Sequence, residues 1–345
     1  APVAGGILED MPRLDWASGA PSLLLEPSRT NSILSSEYIQ DGTGVTNLYN
    51  AVISPEGIQN AVKVQVDNGV FNTRIFQQTS GSGSQVVSVF AKAGEKNAIS
   101  VSSYTGSAYL YAMYNLTNGT LINSNANDTG IEDMGNGWYR VWVYVANSTN
   151  RYAHLSIGDS TDSPAYTLST TGNNSDGLYV YGWQAEQDAT YPTSYIPTYG
   201  VSQTRLRDSA DELSNDIISG ATEFTWLFDN TGTELDGQVN VVFQLVCTGT
   251  ALRYYSSQGG RFFAGGYFGE ADAIGKLCVK YDGTTITMFK DGIKSTSTSS
   301  TNLGTTIYLD NLFTSNNVGT PIKLNQMLFF KTALSDEECI QLTTV

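Results

Sequence analysis

The chain has 345 residues, 33 of them acidic and 18 basic, for a net charge of −15. That length suits two or three ordinary domains, and an acidic surface of this kind repels nucleic-acid backbones and anionic membrane. The chain contains no run of the 18 or so apolar residues that a membrane-spanning helix requires.

Only 15% of the residues are charged, while Gly, Ser, Thr, Asn and Tyr are abundant. Thr and Tyr favour strands, and Gly and Asn favour turns, so the composition suits turn-rich β-structure. The first residues, APVAGGILEDMPRLDW, lack the basic and apolar regions of a signal peptide. They also lack an initiator Met, as expected of a processed product or part of a longer chain.

In chain order, residues 1–35 read as a connecting arm, because Pro2, Pro12, Pro21 and Pro27 interrupt any long helix or central strand. Within it, Leu23-Leu24-Leu25 is expected to dock on a neighbouring domain or subunit. Residues 36–200 show short runs of alternating apolar residues. Strands are predicted over 85–91 (QVVSVFA), 108–116 (AYLYAMYNL), 138–145 (WYRVWVYV) and 178–185 (LYVYGWQA), with Gly/Asn clusters at 123–130 and 172–177 between them. Residues 201–345 carry a second set, predicted over 223–228, 239–246, 262–266, 276–281, 284–290, 306–309 and 322–330. Asp282-Gly283 and Asp291-Gly292 are two-residue turn signals that link hairpins. Ser335-Asp-Glu-Glu338 is a capping box that opens the one clear helix.

The three cysteines, Cys247, Cys278 and Cys339, have no paired spacing. An odd count argues against a disulfide framework, so buried thiols are expected. Catalytic motifs are missing: GxSxG, HExxH and the phosphate-binding loop do not occur. The single histidine, His154, faces away from the core if Ala153 and Leu155 face into it, and is expected to be solvated or hydrogen-bonded. Of the adjacent acids, Glu132-Asp133 reads as a solvated loop, and Asp336-Glu337-Glu338 as a helix first turn where acids favour the dipole. The chain is therefore expected not to be an enzyme and to need no cofactor. The loop carboxylates Asp159, Asp162 and Asp176 have oxygens of the kind calcium takes, but no calcium-loop pattern assigns a structural calcium to them.

Sugar binding is the sharper expectation, because aromatic faces stack on the apolar faces of pyranose rings. In 138–145, Tyr139, Val141, Val143 and Val145 share one face, leaving Arg140, Trp142 and Tyr144 on the other. In 108–116, Leu110, Ala112 and Tyr114 point inward and Tyr109 and Tyr111 outward. In 178–185, Tyr179, Tyr181 and Trp183 share a face. Arg140, Trp142, Tyr144, Tyr109, Tyr111, Tyr181 and Trp183 are the candidate carbohydrate contacts, with packing or an interface as the competing role for each. Trp138 and Trp226 are expected to pack.

Two resemblances sharpen the expectation. The segments GNGWYRVWVYV (135–145) and LYVYGWQAEQDATYPTSYIPT (178–198) resemble the carbohydrate-binding-module-like domain of phage virion proteins. PRLDWASGAPSLLLEPSRTN (12–31) resembles the lead-in that precedes that domain. Together they cover about the first 200 residues. KLCVKYDGTTITMFKDGIK (276–294) and IKLNQMLFFKTALSDEECIQLTT (322–344) resemble a laminin-G-like, concanavalin A-like lectin domain over residues 202–345.

Membership implies an all-β chain of two antiparallel jelly-roll-like sandwiches, 36–200 and 201–345, after the arm. It implies a phage virion structural protein at the particle surface: a head fibre, decoration or tail-associated subunit that adheres to surface polysaccharide. The partners implied are other virion proteins and host or environmental glycan, with a homodimer or homotrimer expected, and no nucleic acid or membrane insertion. The alternatives are the accessory binding region of a secreted polysaccharide-degrading enzyme, a free-standing lectin, and a purely structural capsid-stabilising protein.

Overall fold

The structure, a computed structural model, describes residues 14–15, 22–79, 82–148, 152–206, 208, 220–230, 241–247, 252–255, 261–269, 275–304, 307–311 and 322–344. Among them every strand pair is antiparallel, and the one α-helix is Asp336–Thr343. The chain is all-β, built as jelly-roll-like sandwiches of antiparallel sheets. It divides into two compact units, one containing Arg29–Arg205 and the other containing Asp10–Ser28 and Leu206–Val345.

In the first unit, a long sheet runs in the order Asp128–Gly135, Trp138–Ser148, Gly83–Lys92, Gly177–Gln187, Arg29–Asn31, Gln203–Arg205. Ala61–Val66 joins it beside Gly177–Gln187, and Val45–Val52 pairs with Ala61–Val66 in turn. The facing five-stranded sheet runs Thr120–Ser124, Tyr109–Asn115, Ala98–Tyr104, Tyr152–Gly158, Ile75–Gln78. Period-2 alternation explains the core between them, since one face of each strand is apolar. Val87, Val89, Val141 and Val143 meet Ile99, Val101 and Leu155 there, all buried. A third pair, Gly69–Thr73 with Leu168–Gly172, lies against Ser156 through the Thr73 hydroxyl.

Residues 1–35 are not simply an arm. Ser22–Leu25 pairs with Ile322–Phe330 in the second unit's sheet, with Leu23 opposite Leu324. Arg29–Asn31 is a strand of the first unit's long sheet. Pro27, which has no N–H to give a ladder, falls between the two strands. Asn31 is fully buried, and its amide is used completely. It donates to the carbonyls of Trp183 and Ile196 at 3.3 and 2.9 Å, and accepts from the amides of Ile33 and Ala185 at 3.1 and 3.0 Å. Residues 1–13 and 16–21 lie outside the described residues.

In the second unit, a seven-stranded sheet faces a five-stranded one, with Phe228 of the first 5.8 Å from Phe262 of the second. Phe224, Trp226 and Phe228 share the inner side of their strand, so Trp226 packs as expected. The strand predicted over 262–266 is instead two, Arg261–Phe263 and Tyr267–Phe268, folded on each other. Asp291 and Gly292 adopt φ of 47° and 78°, as a tight two-residue hairpin turn demands.

The helix opens on Ser335, whose hydroxyl accepts from the Glu338 amide while the Glu338 carboxylate accepts from the Ser335 amide. It covers the outer side of the seven-stranded sheet. Cys339 packs there with Cys278, Leu227 and Phe289. Cys278 and Cys339 are buried free thiols that contact each other, and that contact, with burial second, pushes the Cys278 thiol well up. Cys278 is therefore expected to resist iodoacetamide at pH about 8, where a free cysteine reacts, until the chain unfolds. Peptide mapping of a labelling time course checks this, and rapid native labelling would contradict the packing. The side chain of Cys247 lies outside the described residues.

Candidate functional site

The seven predicted sugar contacts do not form one surface. Arg140 is only 8% exposed. The segment after the Gly177–Gln187 strand folds over it. Arg140 donates to the Thr193 carbonyl at 2.6 Å and to Ser88 Oγ at 3.3 Å, and its guanidinium lies 5.3 Å from the Phe90 ring. Thr193 is held in turn by the buried Glu186 carboxylate, which accepts from both its amide and its hydroxyl. Gln184 bonds Thr193 and Ile196 as well. A cation can be buried when hydrogen bonds and a carboxylate-anchored loop replace its water.

Tyr181 and Trp183, 1% and 2% exposed, are also withdrawn from solvent, and they lie on opposite faces. The ladder slips between Tyr181 and Gln184, where Gly182 takes φ +62°. This bulge inserts one residue and reverses the alternation. Tyr181 stays with Phe90 and Trp138, while Trp183 turns into the valine core. Trp142 and Tyr144 remain half-buried on the outer side of the long sheet. The Trp142 ring lies over Gly130 on the neighbouring strand, where a methyl group would collide with it. Trp138 packs, and its indole N–H donates to the Ile53 carbonyl at 3.2 Å.

Tyr109 and Tyr111 belong to the five-stranded sheet, on its outer face. Cross-strand register brings Tyr104, Ser102, Tyr109, Tyr111, Tyr152, His154, Phe76 and Gln78 to that same face. Loop residues close one side of it: the Tyr166 ring stacks on Tyr109 at 3.8 Å and 4°, and Tyr111 donates to the Pro164 carbonyl at 3.1 Å. The remaining half is an aromatic well. His154 forms its floor, 5.7 Å from Phe76, 4.9 Å from Tyr109, 6.0 Å from Tyr152 and 6.3 Å from Tyr166. Phe76 is 50% exposed, and the tyrosines are partly exposed. Tyr109, Tyr152 and Tyr166 make no phenolic hydrogen bond among the described residues, so each has a hydroxyl to offer.

Ala153 and Leu155 do face the core and His154 does face away, but His154 is neither solvated nor hydrogen-bonded. It is 2% exposed, and neither ring nitrogen has a partner. Its cross-strand neighbour Ser102 also has a buried, unpartnered hydroxyl. Buried polar atoms are nearly always paired, so two orphaned groups under one set of rings are an exception in this sheet. Burial, helped by the Arg74 charge, pulls the His154 pKa down to about 4, so the ring is neutral at neutral pH. Burial also raises the Tyr109 phenol. Among the described residues no carboxylate contacts the His154 ring nitrogens.

The acids also find structural roles. Asp336 pairs with Lys280 and, at 2.6 Å, with Lys294. Glu132 and Asp133 sit exposed in the edge strand Asp128–Gly135 rather than in a loop. Asp159 holds Lys96 at 2.7 Å, and Asp162 accepts from the Asp159 amide at 2.7 Å. Asp176 is half-buried beside the Asn173 turn, where its amide donates to the Asn173 side chain. Among the described residues, no group of three or more His, Cys, Asp or Glu is placed to hold a metal ion, and no helix is long and apolar enough to cross a membrane.

The sequence reading missed Phe76, Tyr104, Tyr152 and Tyr166. The signal was present in part: Tyr152 and His154 share parity in YAHLSIG, opposite Ala153 and Leu155. No protein-family model matches this chain, and no curated protein matches it. Among solved structures, the mouse laminin alpha1 chain, domains LG4-5, is similar at a TM-score of 0.23 and 11% identity, over 97% of this chain and 96% of that one. A likeness that loose carries no argument about fold or function.

Proposed function

We propose that this chain is a non-enzymatic, extracellular adhesion subunit that binds glycan through the aromatic well of its first unit. The observation that carries the reading is the half-open face on which Phe76, Tyr109, Tyr152 and Tyr166 ring the unpartnered His154. Partly exposed rings of this kind stack on the CH faces of sugar rings, and the unbonded phenols beside them take up hydroxyls. A placement on a phage particle, as fibre, decoration or tail-associated subunit, is part of the same proposal. It is supported by the resemblance of segments 12–31, 135–145 and 178–198 to virion proteins. A homodimer or homotrimer belongs with it, because weak sugar sites act together by avidity.

A glycan array with the purified chain tests the binding. Tyr109→Ala and Tyr152→Ala are expected to lower the signal about tenfold or more, the scale of a buried aromatic contact. Trp142→Ala, on the other sheet, should leave it intact. A wild-type chain with no signal would remove the glycan reading, and loss with Trp142→Ala alone would move the site. Co-purification with phage particles tests the placement, and turnover of polysaccharide by the chain would overturn the non-enzymatic part.

A further inference from the structure

We infer that the aromatic well takes an acidic glycan, one whose sugar carries an oxyanion, and that Arg74 receives that oxyanion. The inference rests on the glycan-binding reading above and narrows it to a ligand class.

The five strands of this sheet read TLINS, YLYAMYN, AISVSSY, YAHLSIG and IFQQ, with no Asp, Glu, Lys or Arg in any of them. In a chain with 33 acids, these five strands are left uncharged. At its far end, Lys96 and Asp159 neutralise each other at 2.7 Å. Arg74, immediately before Ile75–Gln78, is different. Its backbone is pinned to Thr43 by two hydrogen bonds, 2.8 and 3.0 Å, and its guanidinium carbon lies 4.8 Å from the centre of the Phe76 ring. It has no carboxylate partner among the described residues, and its side chain makes no hydrogen bond there. Its charge is nevertheless felt at both His154 and Tyr109, which places it beside the well.

A half-buried guanidinium resting on an aromatic ring keeps its planar fork free, and that fork matches the two oxygens of a carboxylate. Phe76 thus has two jobs open to it. It already supports Arg74, and its half-exposed ring is a stacking surface next to the charge. A sugar that rests against the exposed part of Phe76 would set a ring carboxylate toward Arg74 and its hydroxyls toward the unbonded phenols of Tyr152 and Tyr166. His154, neutral and sealed beneath the rings, adds no charge of its own. The net charge of −15 opposes a polyanion only over a Debye length, about 8 Å at 0.15 M salt. Short-range recognition by Arg74 therefore prevails at ordinary ionic strength.

The test is the full chain, wild type and Arg74→Gln, on an array of uronic-acid-bearing, sialylated, sulfated and neutral glycans at about 0.15 M salt. Melting temperatures confirm that the variant folds. The expected result is signal on acidic glycans, lowered tenfold or more by Arg74→Gln and partly restored in Arg74→Lys. Chemical reduction of the carboxyl group in a bound uronate should abolish its signal. Response to carboxylated glycans alone assigns the carboxylate, and response to sulfated ones as well assigns any oxyanion. Both support the inference. Signal confined to neutral glycans, or acidic binding unchanged by Arg74→Gln, overturns the inference and leaves the glycan reading standing. An array blank for the wild type overturns both.

Discussion

Replacing Trp183 with alanine is expected to destabilise the first unit by about 3–5 kcal/mol, the cost of emptying a buried aromatic site that its surroundings fill only in part. The residue is 2% exposed and packs among Val87, Val143 and their neighbours. The size of the effect depends on the bulge at Gly182. Without it Trp183 would share Tyr181's face, outside the valine core. Gly182→Ala is a second probe of the same feature. An alanine at φ +62° pays about 1–2 kcal/mol for its left-handed backbone, and its methyl would stand 2.9 Å from the Phe90 ring. Urea unfolding of both variants provides the check. A Trp183→Ala loss under about 1 kcal/mol, typical of a surface site, would refute this placement of the ring.

The second large effect is a dependence on pH. The His154 pKa falls from an ordinary 6.5 to about 4, through burial first and the Arg74 charge second. In the unfolded chain the imidazole protonates near 6.5. In the folded chain it resists until about 4, so between these values the unfolded state binds more protons. Stability from this group is therefore full above about 6.5 and is lost as the pH falls through that window. At about 1.36 kcal/mol per pH unit, the loss is about 3 kcal/mol. Depressed carboxylates such as Asp282 and Asp336 lose their contributions at lower pH, and they do so with or without the histidine. His154→Phe keeps a ring at the floor of the well and removes the titration. The stability difference between wild type and variant should slope from pH 6.5 to 4, and a flat difference would show that the imidazole is not held neutral.

Much of the local structure was legible because it depends on near neighbours. The valine side of Trp138–Ser148, the inward row Leu110, Ala112 and Tyr114, the Asp291-Gly292 turn and the Ser335–Glu338 capping box all follow from parity or from a contact within four residues. Other strands escaped because their sequence is polar. Ala98–Tyr104 contains Ser100, Ser102 and Ser103, all buried. Those serines are covered by neighbours far along the chain, such as Gln85, which accepts from the Ser103 hydroxyl.

The candidate site was less legible. Parity marked Tyr109 and Tyr111 as outward and set Arg140, Trp142 and Tyr144 opposite the valines, and both statements describe the strands correctly. Parity says nothing about what covers the other face. Arg140 vanished under the segment carrying Thr193, while the face of Tyr109 stayed half open. One glycine then moved Trp183 from one face to the other.

Sequence alone determined the all-β class, the alternation of each strand and the capped terminal helix, because these follow from side-chain period and backbone chemistry within a few residues. Tertiary structure alone decided which aromatic rows remain in solvent. It gathered Arg74, Phe76, Tyr104, Tyr109, Tyr152, His154 and Tyr166 into one well, because strands distant in the chain become neighbours only when the ladder is built. Burial at any position depends on what else arrives there.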